Sequence, residues 1–249
     1  MVRSLLIRGM LVGAVSAVLA FVFAWVFGEP SINVAIAFEE AHVSAGPAEP
    51  EVVSRTVQST LGLGVAFLLY GSAFGGLFAL AFAFAFGRVG ALAARPTSVL
   101  VAVVGFVAVY LVPFLKYPPN PPAVGDPDTI GRRSMLYVLL VLVCVLAAIG
   151  AVLIGRNALS QLGGWDATLV AVGAFVLVAA VAGAVFPGVD EVSDFPATAL
   201  WRFRLASLGT QAVLWATLGL LFGALTDRSM RQAAAGRSAR PAAPAVPSG

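Results

Sequence analysis

Charge is scarce in this sequence. Only 11% of its 249 residues are Asp, Glu, Lys or Arg, against about 25% in an ordinary soluble domain. It holds one histidine (His42), one cysteine (Cys144) and one lysine (Lys116). A lone histidine excludes a multi-histidine metal centre built by one subunit, and a lone cysteine excludes an intramolecular disulfide. No His-Glu-x-x-His, Gly-x-Ser-x-Gly or Walker pattern occurs. The chain is therefore not expected to be an enzyme, and no tightly bound cofactor is expected.

What lies between the charges is apolar. Six charge-free runs, 9–28, 56–87, 96–115, 134–155, 167–189 and 205–226, are each 20 residues or longer. A helix needs about 20 apolar residues to cross the hydrocarbon core. The expected fold is all-α: a polytopic membrane protein with six transmembrane helices. Barrel strands would be about ten residues long with alternating polarity, and these runs are continuous.

Threading the six runs alternately sorts the charges. One side collects nine arginines, from Arg3 and Arg8 to Arg237 and Arg240, against Asp166 and Asp227. The other collects Arg55, Lys116, Arg132, Arg133, Arg202 and Arg204 against ten acids. Positive residues mark the cytoplasmic face, so both termini are expected inside a cell (inner or plasma) membrane. The basic pI near 9.5 then reflects topology, and no nucleic-acid partner is expected. The bundle is expected over 1–227, with outer loops at 29–55, 116–133 and 190–204. Residues 228–249, rich in Ala, Pro, Ser and Arg, read as a disordered cytoplasmic tail. Each outer loop ends on arginine before the next helix, which suggests three similar hairpins, 1–2, 3–4 and 5–6.

Within the spans, glycines recur four apart at Gly9/Gly13, Gly71/Gly75 and Gly219/Gly223. That spacing puts small residues on one face, where helix backbones approach closely. Packing inside the bundle is the expected use, and an oligomer contact is the alternative. The spans hold no charge between their ends, which argues against a pump built around a buried carboxylate. Neutral oxygens remain, from Tyr70, Tyr110, Tyr137, Thr210 and their neighbours.

The outer loops carry the chemistry. Glu39, Glu40 and His42 place two carboxylates and an imidazole together, and Glu39 and His42 would share a face of a short helix. Such a set suits a borderline divalent metal. Asp190 and Glu191 are a second, weaker metal candidate. The alternative is a solvated acidic surface. Five prolines stiffen 116–133, giving a cap over an outer vestibule built by Lys116, Tyr117, Asn120 and Asp126. Asp128 and Thr129 read as the cap of the following helix.

The stretch Pro113-Phe114-Leu115-Lys116-Tyr117-Pro118-Pro119-Asn120-Pro121-Pro122, continued by Gly125-Asp126-Pro127-Asp128-Thr129, closely resembles the signature of the CbtA family. Phe38-Glu39-Glu40-Ala41-His42 and the segment from Phe195 to Arg204 resemble that family's first and third outer loops. The resemblance implies the membrane subunit of a cobalt uptake system, with Co²⁺ as the transported ion and a link to cobalamin synthesis. It also implies a small one-span partner of the CbtB type with a histidine-rich tail. Two features depart from the family pattern. The family is usually described with five spans, and many members carry a histidine-rich first loop where this chain has only His42. The competing readings are a non-transporting scaffold for a metal-binding partner and a permease for a small organic solute such as a corrinoid precursor.

Overall fold

A computed structural model describes residues 2–42, 54–122, 124–125, 127–189 and 194–238. The described chain is carried by helices α1 (Val2–Phe27), α2 (Glu29–His42), α3 (Arg55–Ala85), α4 (Ala94–Lys116), α5 (Ile130–Val185) and α6 (Ala197–Ser238). There is no strand among these residues. All but α2 are long and apolar enough to cross a membrane, which makes five such helices. The described start of the first outer segment, Glu29–His42, is thus helical, because Glu29 and Pro30 are favourable first-turn residues just after Gly28.

Lipid is as apolar as the side chains, so close packing rather than apolar burial holds such helices together. Glycine supplies that closeness here. A Cβ added at Gly75 would lie 2.7 Å from the Cα of Gly13, and one at Gly9 would lie 2.6 Å from Ala79 Cβ. Gly9 and Gly13 of α1 therefore face Gly71 and Gly75 of α3, with Ala17 and Ala79 extending the seam. On α6, Gly219 seats Ala102 of α4 and Gly223 seats Ser98 and Arg95. The Ser98 hydroxyl donates to the Gly219 carbonyl at 2.7 Å. Between these seams sits an aromatic core of Phe78, Phe82, Trp215 and Phe222. Its rings meet edge-on, with Phe78 and Phe82 at 5.4 and 5.1 Å from Phe222.

Two helices contain wide, π-helical turns, at Gln58–Gly62 in α3 and Phe106–Leu111 in α4. The second has a visible cause. Pro113 has no N–H for the carbonyl four residues back and crowds it. That carbonyl belongs to Val109, and it accepts a long bond, 3.4 Å, from the Tyr137 hydroxyl of α5. A neighbouring side chain meeting a proline-freed carbonyl is how such a break is tolerated in lipid.

Helix α5 is not one rod. Gly163 adopts φ 77° and ψ 172°, outside the helical region and in the range that favours glycine. The chain doubles back there: a Cβ at Gly155 would lie 3.0 Å from that of Ala171. Leu140, Cys144 and Ala148 of the first arm share a cluster with Ala182 of the second.

Four expectations are corrected. The tail does not begin at Arg228, since α6 stays helical to Ser238. Met230 packs on the aromatic core, Arg231 pairs with Asp227 one turn back, and Ala-rich sequence follows with no proline until Pro241. Of the three similar hairpins only 1–2 forms as a packed pair. Helix α1 packs on α3, α4 packs on α6, and the two arms of α5 pack on each other, because the glycine seams choose the partners. Thr129 stands at the N-cap of α5 without a side-chain capping bond, since the chain arrives through the 3₁₀ turn Pro127–Thr129. Tyr70 is 78% exposed and lines no interior path.

Candidate functional site

Two ends of the bundle can be told apart: a loop end, carrying α2 and the proline loop, and a terminal end, carrying the starts of α1 and α4. At the loop end, Ala35 of α2, Val124 of the proline loop and Phe195 before α6 form one small apolar cluster. Phe38 crosses Phe195 edge-on with ring centres 5.4 Å apart. Three segments far apart in sequence are thereby gathered into one cover. Glu39 and Glu40 follow Phe38 and are exposed. His42 ends α2, one turn beyond Glu39, and its side chain lies outside the described residues. Asp126, Asp190 and Glu191 also lie outside them. No group of three or more His, Cys, Asp or Glu placed to hold a metal ion occurs among the described residues.

Sequence reasoning passed over Glu29. This carboxylate is nearly buried and pairs with Arg55 at the start of α3. Glu29, Asn33, Arg55, Thr56 and Ser59 line a cavity together with Trp25. It lies beside the π-helical turn of α3, a kind of irregularity that recurs at functional sites. The signal was available: Glu29 is the acid that ends the first apolar run, and Arg55 is the base that precedes the second.

A second cavity, of about 370 Å³, opens beneath the proline loop. Lys116, Tyr117, Asn120, Arg133, Tyr137 and Arg204 are among its walls. The loop is tied down on two sides. Tyr117 donates its hydroxyl to the Pro187 carbonyl at 2.8 Å, where the second arm of α5 has ended. Arg204 of α6 donates to Asn120 Oδ1 at 2.9 Å and, more loosely, to the Pro119 carbonyl at 3.4 Å. Partial burial pushes the Tyr117 hydroxyl above the usual phenol range, with Arg132 pulling weakly the other way. The structure thus brings Lys116, Tyr117 and Asn120 to one cavity and adds Arg133 and Arg204 to its walls.

The terminal end is closed by charge. Asp227 of α6 is nearly buried, and the Nε atoms of Arg95 (α4) and Arg231 (α6) each lie 3.1 Å from its Oδ2. One residue back, buried Thr226 accepts a bond from Arg8 of α1 at 3.2 Å. Helices α1, α4 and α6 are clasped together at this end.

The described residues thus form a bundle of long apolar helices with a cover at one end and a charged clasp at the other. Residues 2–227 match a family model described as a probable cobalt transporter subunit, CbtA. The chain belongs to the CbtA family. The match takes in α1 to α5 and α6 as far as Asp227, the residue at the centre of the clasp. Comparison with curated proteins and with solved structures gave no match. As a CbtA member with five membrane-length helices among its described residues, the chain is a multi-pass membrane protein.

Proposed function

We propose that this chain is the membrane subunit of a Co²⁺ uptake system in the cell membrane, serving cobalamin synthesis. The family match over residues 2–227 is the observation that carries this reading. A subunit implies a partner, and the single histidine of this chain favours a one-span CbtB-type partner whose histidine-rich tail supplies the nitrogen ligands. In this reading the loop end faces outward and both termini face the cytoplasm. The same reading takes α5 as two crossings and the chain as six, and the reversal at Gly163 supports it. Glu39, Glu40 and His42 gather the cation at the outer surface, with Asp190 and Glu191 adding negative potential.

Uptake of ⁵⁷Co²⁺ into vesicles holding the purified chain, with and without the partner, tests the function. Uptake only with both subunits, weakened by Glu39→Ala with His42→Ala, is the expected result. No uptake in either case leaves the scaffold or organic-solute reading. Topology is tested separately. A cysteine at Ser160, in a Cys144→Ser background, should label from the cytoplasmic side, and one at Asn120 from the outside. Labelling of both from the same side would exclude six crossings.

A further inference from the structure

The two cavities at the loop end are opposite in character. The one beside Glu29 contains a carboxylate already matched by Arg55. The one beneath the proline loop is walled by three cations, Lys116, Arg133 and Arg204, and by no Asp or Glu among the described residues. All three are half-buried, from three different parts of the chain. Lys116 and Arg204, held together at partial burial, repel each other and lose hydration, so the arrangement favours a counter-charge between them.

The donors needed to receive an anion are in place. Lys116 is the chain's single lysine and makes no hydrogen bond or ion pair among the described residues, so its ammonium is available to the cavity. Arg204 spends its Nε and one Nη on the proline loop, which fixes the guanidinium while leaving further N–H groups of the fork. Ile130, Arg133 and Ser134 put the first turn of α5, the positive end of that helix, on the same wall. Tyr117 and Tyr137 add flat apolar surface, their hydroxyl hydrogens being donated to the Pro187 and Val109 carbonyls. The volume is in the range of small-molecule sites.

We propose that the cavity beneath the proline loop binds a multiply charged oxyanion, with Lys116, Arg133 and Arg204 as its cationic clamp. Bare Co²⁺ is repelled from such a pocket, so the site is separate from the route assigned above to the free cation and stands whether or not cobalt is the cargo. The same chemistry is offered by a soluble polycarboxylate and by the phosphate of a lipid headgroup.

The test uses the purified full-length chain in detergent at low salt, with citrate, inorganic phosphate and Co²⁺ as probes in separate calorimetric titrations. Lys116→Glu is the informative variant, because Lys116 makes no bond that the fold needs. Citrate should bind saturably, weaken steeply with added salt, and lose at least tenfold in affinity in Lys116→Glu with no fall in melting temperature. Native mass spectrometry separates the sources: citrate that displaces a co-purified anionic lipid identifies the headgroup, and citrate binding to lipid-free protein identifies a soluble ligand. Citrate and phosphate that fail to bind while no anionic lipid is retained overturn the proposal. Equal citrate affinity in the wild type and Lys116→Glu, or Co²⁺ binding that Lys116→Ala strengthens in place of anion binding, overturns it too.

Discussion

Helices α1, α3, α4 and α6 use glycine in one way and α5 in another. In the first group Gly9, Gly13, Gly71, Gly75, Gly219 and Gly223 lie where an added Cβ would strike a neighbouring helix. In α5, Gly131, Gly150, Gly173 and Gly183 have nothing within 4 Å of that position, and only Gly155 is filled, by the hairpin's own second arm. The first group is a packed frame locked at one end by Asp227. The α5 hairpin leans on it mainly through the π-helical turn of α4 and the residues up to Lys116. The contrast teaches that glycine content alone does not mark a packing face; what stands opposite the residue does. It also places the cationic cavity at the seam between a rigid frame and a lightly attached hairpin.

The comparison breaks most sharply by adding bulk. Gly75→Leu should abolish recovery of folded protein from detergent, because its Cβ meets the backbone of α1; overpacking of this kind costs about 3 kcal/mol or more. Gly173→Leu should leave the melting temperature and yield unchanged, since its Cβ position is open. Equal damage from both would erase the distinction between frame and hairpin.

A smaller effect is expected at the clasp. Asp227→Asn removes the charge that Arg95 and Arg231 share, and thermal unfolding should report a loss of about 1–2 kcal/mol, discounted because both arginines are largely exposed. Arg231→Ala should cost less, as Arg95 keeps its half of the pairing. A clasp that matters only to the frame leaves loop-end labelling of a cysteine at Asn120 unchanged.

The smallest stability effect belongs to the seam. Asn120→Ala removes one charge-assisted bond to Arg204, worth about 1 kcal/mol, and should impair transport more than Pro119→Ala, which tests stiffness alone. Parallel measurement of uptake and melting temperature separates the two. If the proline change alone impairs uptake, the loop acts as a spacer and its polar groups have no transport role.

The membrane class and helical content were legible because each apolar run is long enough to cross lipid without help, and the spacing of Gly9/Gly13 and Gly71/Gly75 was readable because a helix repeats its faces locally. Part of the site was legible as well. Lys116, Tyr117 and Asn120 stood out as neighbours in one proline-rich stretch, and neighbours in sequence stay neighbours in space. Which helix each glycine face meets was not written locally. That depends on which backbone can approach, and the answer pairs α1 with α3 and α4 with α6 while folding α5 on itself. The partners of Glu29, Arg204 and Asp227 were hidden for the same reason. Arg204 lies 84 residues from Asn120, and Arg8 lies 218 residues from Thr226. Composition and periodicity decided that this chain forms helices in a membrane. Only packing decided which charges meet, because a charge acts over a few ångströms of space and the chain joins those places by long detours.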